Sequence, residues 1–384
     1  MKGRSMQEQP TTEEIFAAHE GGKLSITSTM EVSTMRDLAI CYTPGVAEVC
    51  EAIAQDPAQA RRYTGAGNTV AVVTDGTAVL GLGDIGPQAS LPVMEGKAQL
   101  FQQFAGLNSF PIVLDTHDVD EIVDTVVRIA PSFAAINLED IAAPRCFEIE
   151  RRLDERLTIP VMHDDQHGTA VVIYAALRNA ARVLDRTLTD LRVVISGAGA
   201  AGIACVDMLL HAGIRDIIVL DSQGPIHADR AGLTPVKQSL AARTNPRNIH
   251  TTVDDALRDA DTFIGLSRGH ITEEQVLLMA EAPILFSLAN PTPEIEPEVA
   301  RKHGGVVATG RSDMPNQINN VLAFPGIFRG AIDAGATRIT RPMLLAASEA
   351  IASLIDAPTA HNIVPQALDP RVAPAVAKAV ADAV

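Results

Sequence analysis

The chain has 384 residues, of which 47% are apolar and 20% are charged, and its formal net charge is −16 at pH 7. This balance is typical of a globular protein and excludes an intrinsically disordered one. The acidic charge also argues against nucleic acid as a partner, because phosphate binding needs clustered Lys and Arg side chains. Aromatic residues make up only 3%. We therefore expect small aliphatic side chains to fill the core, in a chain long enough for two domains.

The cysteines and the N-terminal segment indicate a compartment. The four cysteines form no C-x-x-C pair and match no zinc framework, so we expect reduced thiols, as in cytosolic proteins. The first residues, "MKGRSMQEQPTTEE", are polar and lack the apolar segment of a signal peptide. No apolar run approaches the ~20 residues that span a bilayer. The sequence therefore predicts a cytoplasmic protein without a membrane segment.

The first 163 residues predict helices and strands in alternation, after a polar lead into a helix over 11–20. Further helices are expected over 44–62 and from Pro92 to Gly106, where apolar residues recur with helical spacing. Short apolar runs predict strands at "TVAVVTDG", "AVLGLGDIGP", "FPIVLDT" and "FAAINLEDI", with a helix at "DVDEIVDTVVRIAPS". Such alternation is typical of a parallel sheet.

The second half begins with a long Ala-rich helix, "QHGTAVVIYAALRNAARVLDR", and continues with a second alternating unit. Its predicted strands are "LRVVIS", "DIIVLDSQG", "ADTFIGLSRG", "PILFSLANPTP" and "GVVATG". The whole pattern predicts an α/β protein: an N-terminal α/β domain over 1–163, a Rossmann-type doubly wound domain over 164–320, and C-terminal helices over 321–384 that pack back.

The stretch "SGAGAAG" reads G-x-G-x-x-G, a pattern that marks a dinucleotide-binding turn when a strand precedes it and a helix follows directly. The strand "RVVIS" precedes it, and the predicted helix begins at once, so that N–H groups of the helix can meet a pyrophosphate. Asp221 ends the next strand, where it can accept from a ribose hydroxyl. The expected cofactor-binding residues are Gly197, Ala198, Gly199, Ala200, Ala201, Gly202 and Asp221. The alternative is a turn whose glycines serve packing alone.

The stretch "VLGLGDIG" has the same spacing at Gly81, Gly83 and Gly86 but lacks this context. Asp84 inside the loop would repel a pyrophosphate, and no helical periodicity begins before Pro92. We therefore expect that this loop does not bind the nucleotide and that its glycines have another purpose.

Two pairs of acids follow predicted strands: Glu139 with Asp140, and Asp164 with Asp165. Clustered carboxylates repel each other unless a cation joins them. Oxygen ligands that converge from two strand ends suit Mg²⁺ or Mn²⁺. Taken singly, each pair has the alternative of a helix cap or a solvated loop.

His163 and His167 offer a zinc alternative, because they lie four residues apart with an acid between them. Residues 161–164 are predicted to be extended, however, so the two rings need not share a helix face. Oxygen ligands and a hard cation are therefore the favoured interpretation.

With these motifs in the same order, the chain resembles the bacterial short-form malic enzymes over nearly its whole length. The matching blocks are "MRDLAICYTPGVAEVC", "AVLGLGDIGPQASLPVMEGKAQLF", "AINLEDIAAPRCFEIE", "PVMHDDQHGTA", "SGAGAAG", "ANPTPEI" and "RSDMPNQINNVLAFPGIFRGA". The resemblance implies oxidative decarboxylation of L-malate to pyruvate and CO₂ with reduction of NAD or NADP. It also implies a divalent metal and a homodimer, with substrate and metal in the N-terminal domain.

The resemblance assigns roles to individual residues. Tyr42 matches the family's general acid, Lys97 its general base, and Asp164 the acid that pairs with this lysine. The implied metal ligands are Glu139, Asp140 and Asp165, and the asparagines implied near nicotinamide and substrate are Asn290 and Asn320. Because Lys97 must be neutral to accept a hydroxyl proton, we expect burial and the metal to lower its pKa.

One departure from the family concerns the substrate's distal carboxylate. Ala78 stands near the place where larger malic enzymes carry an arginine for a substrate carboxylate. The N–H groups of loop 81–86, Asn320 or the metal are the alternatives for this contact.

The choice of cofactor and of reaction also stays open. Asp221 favours a free ribose hydroxyl and hence NAD, although Arg230 and Lys237 lie close enough along the chain to serve a 2′-phosphate. A malolactic-type or oxaloacetate decarboxylase with bound NAD is one rival function. A catalytically silent metabolite-binding protein and an amino-acid dehydrogenase of similar plan are the others.

Overall fold

The computed structural model describes residues 10–79, 81–290 and 292–384, which fold around two sheets. The strands are β1 (Thr69–Thr74), β2 (Asn108–Val113), β3 (Ala135–Leu138), β4 (Val161–His163), β5 (Arg192–Ser196), β6 (Asp216–Asp221), β7 (Gly224–Pro225), β8 (Thr262–Gly265), β9 (Ile284–Ser287) and β10 (Val306–Thr309). The helices are α1 (Thr12–His19), α2 (Met35–Cys41), α3 (Val46–Gln55), α4 (Ala60–Tyr63), α5 (Gly86–Ala105), α6 (Val119–Ile129), α7 (Arg145–Arg156), α8 (Asp164–Val183), α9 (Ala200–His211), α10 (Pro235–Ala241), α11 (Val253–Leu257), α12 (Glu273–Val276), α13 (Pro297–His303), α14 (Phe324–Asp333), α15 (Arg341–Ser353) and α16 (Val372–Asp382).

The first sheet has the order β2-β1-β3-β4, and each pair is parallel. All residues of β1 are buried, as expected where both faces of a parallel sheet are covered. β3 and β4 pair so that Leu138 lies opposite His163. The carboxyl ends of these two strands therefore meet at one edge of the sheet, and a pair of acids follows each of them.

The second sheet has the order β10-β9-β8-β5-β6-β7 and is parallel except for β7, which runs antiparallel to β6. From β5 the chain moves to β6 on one side and later to β8 on the other. This makes a topological switch point, and ligands of open α/β sheets bind in the crevice at such a point. The predicted α/β class with a Rossmann-type, doubly wound second sheet is confirmed.

α8 connects the two sheets, since it begins directly after β4 and leads to β5. It packs against α9 of the second sheet and against α15 near the C-terminus. α14 packs against α5 of the first sheet and against α16, so the C-terminal helices pack back on the rest as expected. One apolar core extends through these helices and both sheets. The boundaries after residues 163 and 320 stay a prediction.

The segment around the first glycine loop differs from its prediction. Val79 forms only an isolated bridge, not the expected strand, and Leu80 lies outside the described residues. α5 begins at Gly86 and includes Pro92, which was the predicted start. Pro87 fits the first turn because the N–H groups there have no partner within the helix. Residues 86–91 have little helical periodicity in the sequence, so the first part of α5 was not predicted.

Residues 12–63, here called the N-terminal arm, carry α1 to α4, and no described side chain of these helices is buried. The helix predicted over 44–62 is interrupted at Pro57, which has no backbone N–H to donate. Large exposed apolar side chains along the arm include Ile15, Phe16, Ile26, Met35, Ile40 and Tyr42.

The cysteines agree with their prediction. All four are free thiols, with Cys41 and Cys50 exposed and Cys146 and Cys205 buried. Among the described helices, none combines the length and the hydropathy needed to cross a membrane. Residues 1–9, in the polar N-terminal segment, lie outside the described residues.

Candidate active site and metal centre

Three carboxylates from two strand ends form a compact cluster. Glu139 and Asp140 follow β3, Asp165 is the second residue of α8, and one oxygen atom of each lies within 4.8 Å of the others. Asp140 has a φ of +52°, a left-handed conformation that Asp adopts more readily than most residues. Its N–H donates to Asp165 Oδ2 at 2.8 Å. This turn brings acids from both strand ends to one point.

Glu139 and Asp140 are buried and the Asp165 side chain is 34% exposed, so the carboxylate cluster is electrostatically costly. Loss of hydration raises the pKa of Glu139, and it raises the pKa of Asp165 to about 6. A divalent cation would offset both the lost hydration and the mutual repulsion of the charges. Because the donors are all oxygen atoms, they suit a hard ion such as Mg²⁺ or Mn²⁺. The residues present therefore fit the metal that the sequence implies.

Histidine-based alternatives are less suited to a metal. His227 and His250 lie with Asp229 in a second group of potential ligands, but their rings are stacked, with centroids 4.2 Å apart and planes 12° from parallel. Imidazole binds metals through lone pairs in the ring plane, so stacked rings do not aim at one ion. His163 ends β4 whereas His167 lies in α8, so they share no helix face.

Lys97 lies on α5, is only 7% exposed, and joins two acids. Its Nζ donates to Asp164 Oδ2 at 2.6 Å and lies 2.9 Å from Glu139 Oε1, and the ring of Phe324 lies 4.2 Å away. Burial by itself would lower the pKa of Lys97, but the charges of Asp164 and Glu139 hold it above its ordinary value. Burial alone therefore does not lower the pKa of Lys97, because the two carboxylates stabilise the ammonium more than burial destabilises it. The lowering expected from a bound metal stays a prediction.

Asp164 is fully buried at the first position of α8. Its Oδ2 accepts from Lys97 Nζ and from Asn320 Nδ2. Gly168 lies one helical turn later, and a Cβ atom there would lie 1.9 Å from Asp164 Oδ1. The missing side chain at 168 therefore makes room for the carboxylate. Our sequence analysis missed Gly168, although a glycine inside a predicted helix is a usable signal.

Two further residues were also missed, one beside the cluster and one at the first glycine loop. Asn137, fully buried in β3, donates from Nδ2 to Glu139 Oε2 at 2.9 Å and so orients that carboxylate. Arg268, in the loop after β8, donates from Nη2 to the Gly81 carbonyl oxygen at 2.5 Å. In the sequence Asn137 stands inside an apolar strand and Arg268 in a loop, and no pattern links either to the acids.

The first glycine loop lies beside the carboxylate cluster. Its three glycines have φ between +77° and +85°, and the N–H of Ala78 at its start donates to the Asp140 carbonyl at 2.9 Å. α5 follows the loop directly, contrary to expectation. What separates the two loops is therefore the sheet to which each belongs, and not the presence of a helix.

The second glycine loop connects β5 to α9, whose N-terminus begins at Ala200, so unpaired N–H groups of the helix face this loop. Gly197 has a φ of +126°, and a Cβ at Gly202 would lie 1.9 Å from the Gly197 carbonyl oxygen. A Cβ at Gly199 would meet no atom within 4 Å. The remaining small residues of the loop are Ala198 and Ala201. The loop is thus tightly turned on one side and open on the other, as a pyrophosphate requires.

Asp221 ends β6, as predicted, but it is already ion-paired. Arg230 and Lys237 both donate to its carboxylate, with Lys237 Nζ 2.5 Å from Oδ2. Burial would raise the pKa of Asp221, but the hydrogen bonds from Arg230 and Lys237 lower it to about 2. The carboxylate is therefore charged at neutral pH, and the two basic side chains are directed at it.

The last two predicted site residues are Asn290 and Tyr42. Asn290 follows β9, where a Cβ at Gly310 would lie 2.7 Å from Asn290 Nδ2. Tyr42 is the residue directly after α2 in the N-terminal arm, and it is 66% exposed. The hydrogen bonds described for Lys97 Nζ do not include Tyr42. A single chain therefore brings together the predicted metal ligands, the predicted base Lys97 and its partner acid, whereas the predicted general acid, Tyr42, is exposed.

We predict that Gly168→Ala lowers kcat/KM at least ~100-fold, about 2.7 kcal/mol, because the new Cβ displaces the Asp164 carboxylate from Lys97. Steady-state kinetics with L-malate, the substrate that the family resemblance implies, measures the loss. Circular dichroism checks that the variant keeps its helical content. Gly96→Ala on α5 is the matched control, since its Cβ would approach only the flexible end of Lys23 at 3.4 Å. Near-normal kinetics for Gly168→Ala would contradict the prediction.

Comparison with protein-family models matches both halves of the chain. Residues 21–154 match "Malic enzyme, N-terminal domain" and residues 166–384 match "Malic enzyme, NAD binding domain". The first glycine loop and Lys97 lie in the first match, and the second glycine loop lies in the other.

Individual relatives are similar over nearly the whole chain. The NAD-dependent malic enzyme of Geobacillus stearothermophilus is 55% identical over 96% of this chain and 78% of the relative. The bifunctional malic/malolactic enzyme of Bacillus subtilis is 55% identical over 94% of this chain and 90% of the relative. The crystal structure of a Thermotoga maritima NAD-dependent malic enzyme has a TM-score of 0.94 and 44% identity, covering 98% of this chain and 100% of that one. The chain belongs to the malic enzyme family.

Proposed function

We propose that this protein catalyses the oxidative decarboxylation of L-malate to pyruvate and CO₂ with reduction of a nicotinamide cofactor. The observation that carries the proposal is the position of Lys97 Nζ, which lies within hydrogen-bond distance of both Asp164 and Glu139. Glu139 also belongs to the carboxylate cluster. A potential base thus lies directly beside a potential metal site, in the half of the chain that precedes the dinucleotide sheet.

Glu139, Asp140 and Asp165 would hold Mg²⁺ or Mn²⁺, which when bound supplies a Lewis acid for the hydroxyl and carbonyl oxygens of the substrate. Lys97 Nζ accepts the proton of the substrate hydroxyl, and Asp164 orients the amine. Neutralisation of Glu139 at the metal site would remove one of the two charges that favour the ammonium form. Burial of Lys97 then favours the neutral amine that a base requires.

The distal carboxylate of malate requires donors from this chain, because Ala78 supplies none from its side chain. The glycine-rich loop 81–86 lies beside the cluster through the Ala78–Asp140 hydrogen bond. Arg268 reaches the same loop from the second sheet. The N–H groups of residues 82, 83, 85 and 86 already donate to backbone carbonyl oxygens within this segment. We propose that Asn320 and the N–H groups of Gly81 and Asp84 bind the carboxylate, with Arg268 supplying positive charge nearby.

We propose a homodimer in which Tyr42 of one chain enters the site of the other and protonates the enolate carbon. Exposed apolar side chains along the N-terminal arm support a second copy as the arm's partner. Exposure of Tyr42 and burial of Lys97 support an acid that is delivered on assembly and not within one chain. A cytoplasmic location, inferred from composition, also stays a proposal.

We propose NAD as the preferred cofactor, although the family includes proteins named for either NAD or NADP. The charged Asp221 can accept from a ribose hydroxyl at the position expected in a Rossmann-type domain. A 2′-phosphate would lie beside this carboxylate, and Arg230 and Lys237 are already paired with it.

The test of function is an assay with L-malate, each cofactor and Mn²⁺. We expect NADH and pyruvate in equal amounts, and no turnover after chelation of the metal. Lys97→Ala should lower kcat by about 10²–10⁴-fold, the range for a lost general base. Lys378→Ala, which removes an exposed lysine paired with Asp382, is the control. Lactate without NADH would support the malolactic alternative, and malate binding without turnover would support a silent binding protein.

The test of cofactor choice compares kcat/KM for NAD and NADP. We expect a higher value with NAD, and we expect Asp221→Ala to shift the preference towards NADP because it frees Arg230 and Lys237 for a phosphate. A wild-type preference for NADP of more than about tenfold, about 1.4 kcal/mol, would refute the choice of NAD.

The test of the shared site mixes two inactive variants, Tyr42→Phe and Lys97→Ala, by unfolding and refolding them together. If the acid acts across the dimer, half of the sites in mixed dimers have both native residues, so activity should recover to about one quarter of wild type. Each variant refolded alone is the control. If the acid acts within one chain, no site has both residues and the mixture stays inactive.

A further inference from the structure

Glu150 on α7 accepts hydrogen bonds from three groups that all belong to one short segment. Its Oε1 accepts from the His163 backbone N–H at 2.7 Å, and its Oε2 accepts from Gln166 Nε2 at 3.1 Å. His167 Nε2 lies 3.0 Å from Oε1. The Glu150 side chain is only 16% exposed. One carboxylate therefore binds residues 163, 166 and 167, which span the junction between β4 and α8.

At this junction α8 lacks a side-chain N-cap. His163 occupies the N-cap position of α8 and its side chain makes no capping hydrogen bond, whereas caps normally satisfy the free N–H groups there. A mostly buried carboxylate without partners would be strongly destabilising, but one with three donors is tolerated. Glu150, on a neighbouring helix, therefore accepts the hydrogen bond of the N-cap N–H in place of a capping side chain from α8 itself.

The two acids that follow β4, Asp164 and Asp165, both lie within this junction. Asp164 and Asp165 are the first two residues of α8, so the backbone that Glu150 holds decides where their carboxylates lie. Asp164 pairs with Lys97, and Asp165 belongs to the carboxylate cluster. A small rotation of the first turn would separate both from their partners at once.

We propose that Glu150 is a positioning residue for the metal site: it contacts the β4–α8 junction and thereby fixes Asp164 and Asp165 in place for metal binding. This inference rests on the proposed metal site at Glu139, Asp140 and Asp165. It differs from a general role in stability, because it assigns to Glu150 an effect on metal affinity in a protein that stays folded.

The experiment measures Mn²⁺ affinity of the purified protein, without malate or cofactor, by electron paramagnetic resonance of free Mn²⁺. We expect Glu150→Ala to weaken Mn²⁺ binding about tenfold or more, in line with the effect of losing supports behind metal ligands. Glu150→Gln retains an oxygen for the His163 N–H but loses the charge opposite His167, so its loss should be smaller. Circular dichroism and thermal unfolding show that each variant is folded at the assay temperature.

Glu148→Gln is the matched control, because Glu148 lies on the same helix, is exposed and pairs only loosely with Arg152, at 3.4 Å. Its Mn²⁺ affinity should equal that of the wild type. A folded Glu150→Ala protein with wild-type Mn²⁺ affinity would overturn the inference and leave the metal site intact. If Glu150→Ala does not fold, wild-type affinity in Glu150→Gln overturns it instead. A wild-type protein that binds no Mn²⁺ would overturn both the metal site and this inference.

Discussion

The ion pair between Lys97 and Asp164, with Glu139 alongside, fixes how the helices of the first sheet meet the helix that leads to the second. Lys97 comes from a helix of the first sheet, and Asp164 begins the helix that leads to the second. Asn320, from the segment that precedes the C-terminal helices, donates to the same carboxylate. Because buried charges are stable only when paired, these three distant segments must meet at one place.

The same constraint explains the residues around the pair. Parallel strands bring their carboxyl ends to one edge, so the acids after β3 and β4 converge without any long loop. Gly168 leaves room for Asp164, and Asn137 holds Glu139 by a hydrogen bond. Asp165 lies at a helix N-terminus, where a negative charge is favoured. The cost of gathering carboxylates is thus reduced by several small contributions before any cation binds.

The N-terminal arm stands in contrast to this well-packed centre. The first sheet and the helices around it share a continuous core, whereas the arm leaves large apolar side chains such as Phe16 and Met35 exposed. The arm also carries Tyr42, the residue that the family resemblance pairs chemically with Lys97. This difference in burial between Tyr42 and Lys97 is the basis of our proposal that a second chain completes the site.

The sequence by itself determined the α/β class, the alternation of elements, the acids at two strand ends and the glycine turn before α9. These follow from local rules, namely hydrophobic periodicity, strand-end positions and the backbone freedom of glycine. It misplaced the start of α5, because the helix around Pro92 is completed by packing and not by periodicity.

Only the tertiary structure decided which side chains meet. Arg230 and Lys237 converge on Asp221, Glu150 binds the β4–α8 junction, and Tyr42 remains exposed. The physical reason is that the energy of an ion pair or hydrogen bond depends on the distance between two groups in space, and separation along the chain does not give that distance. The raised pKa of the buried Lys97 has the same origin, since it depends on two carboxylates from different segments and not on burial alone.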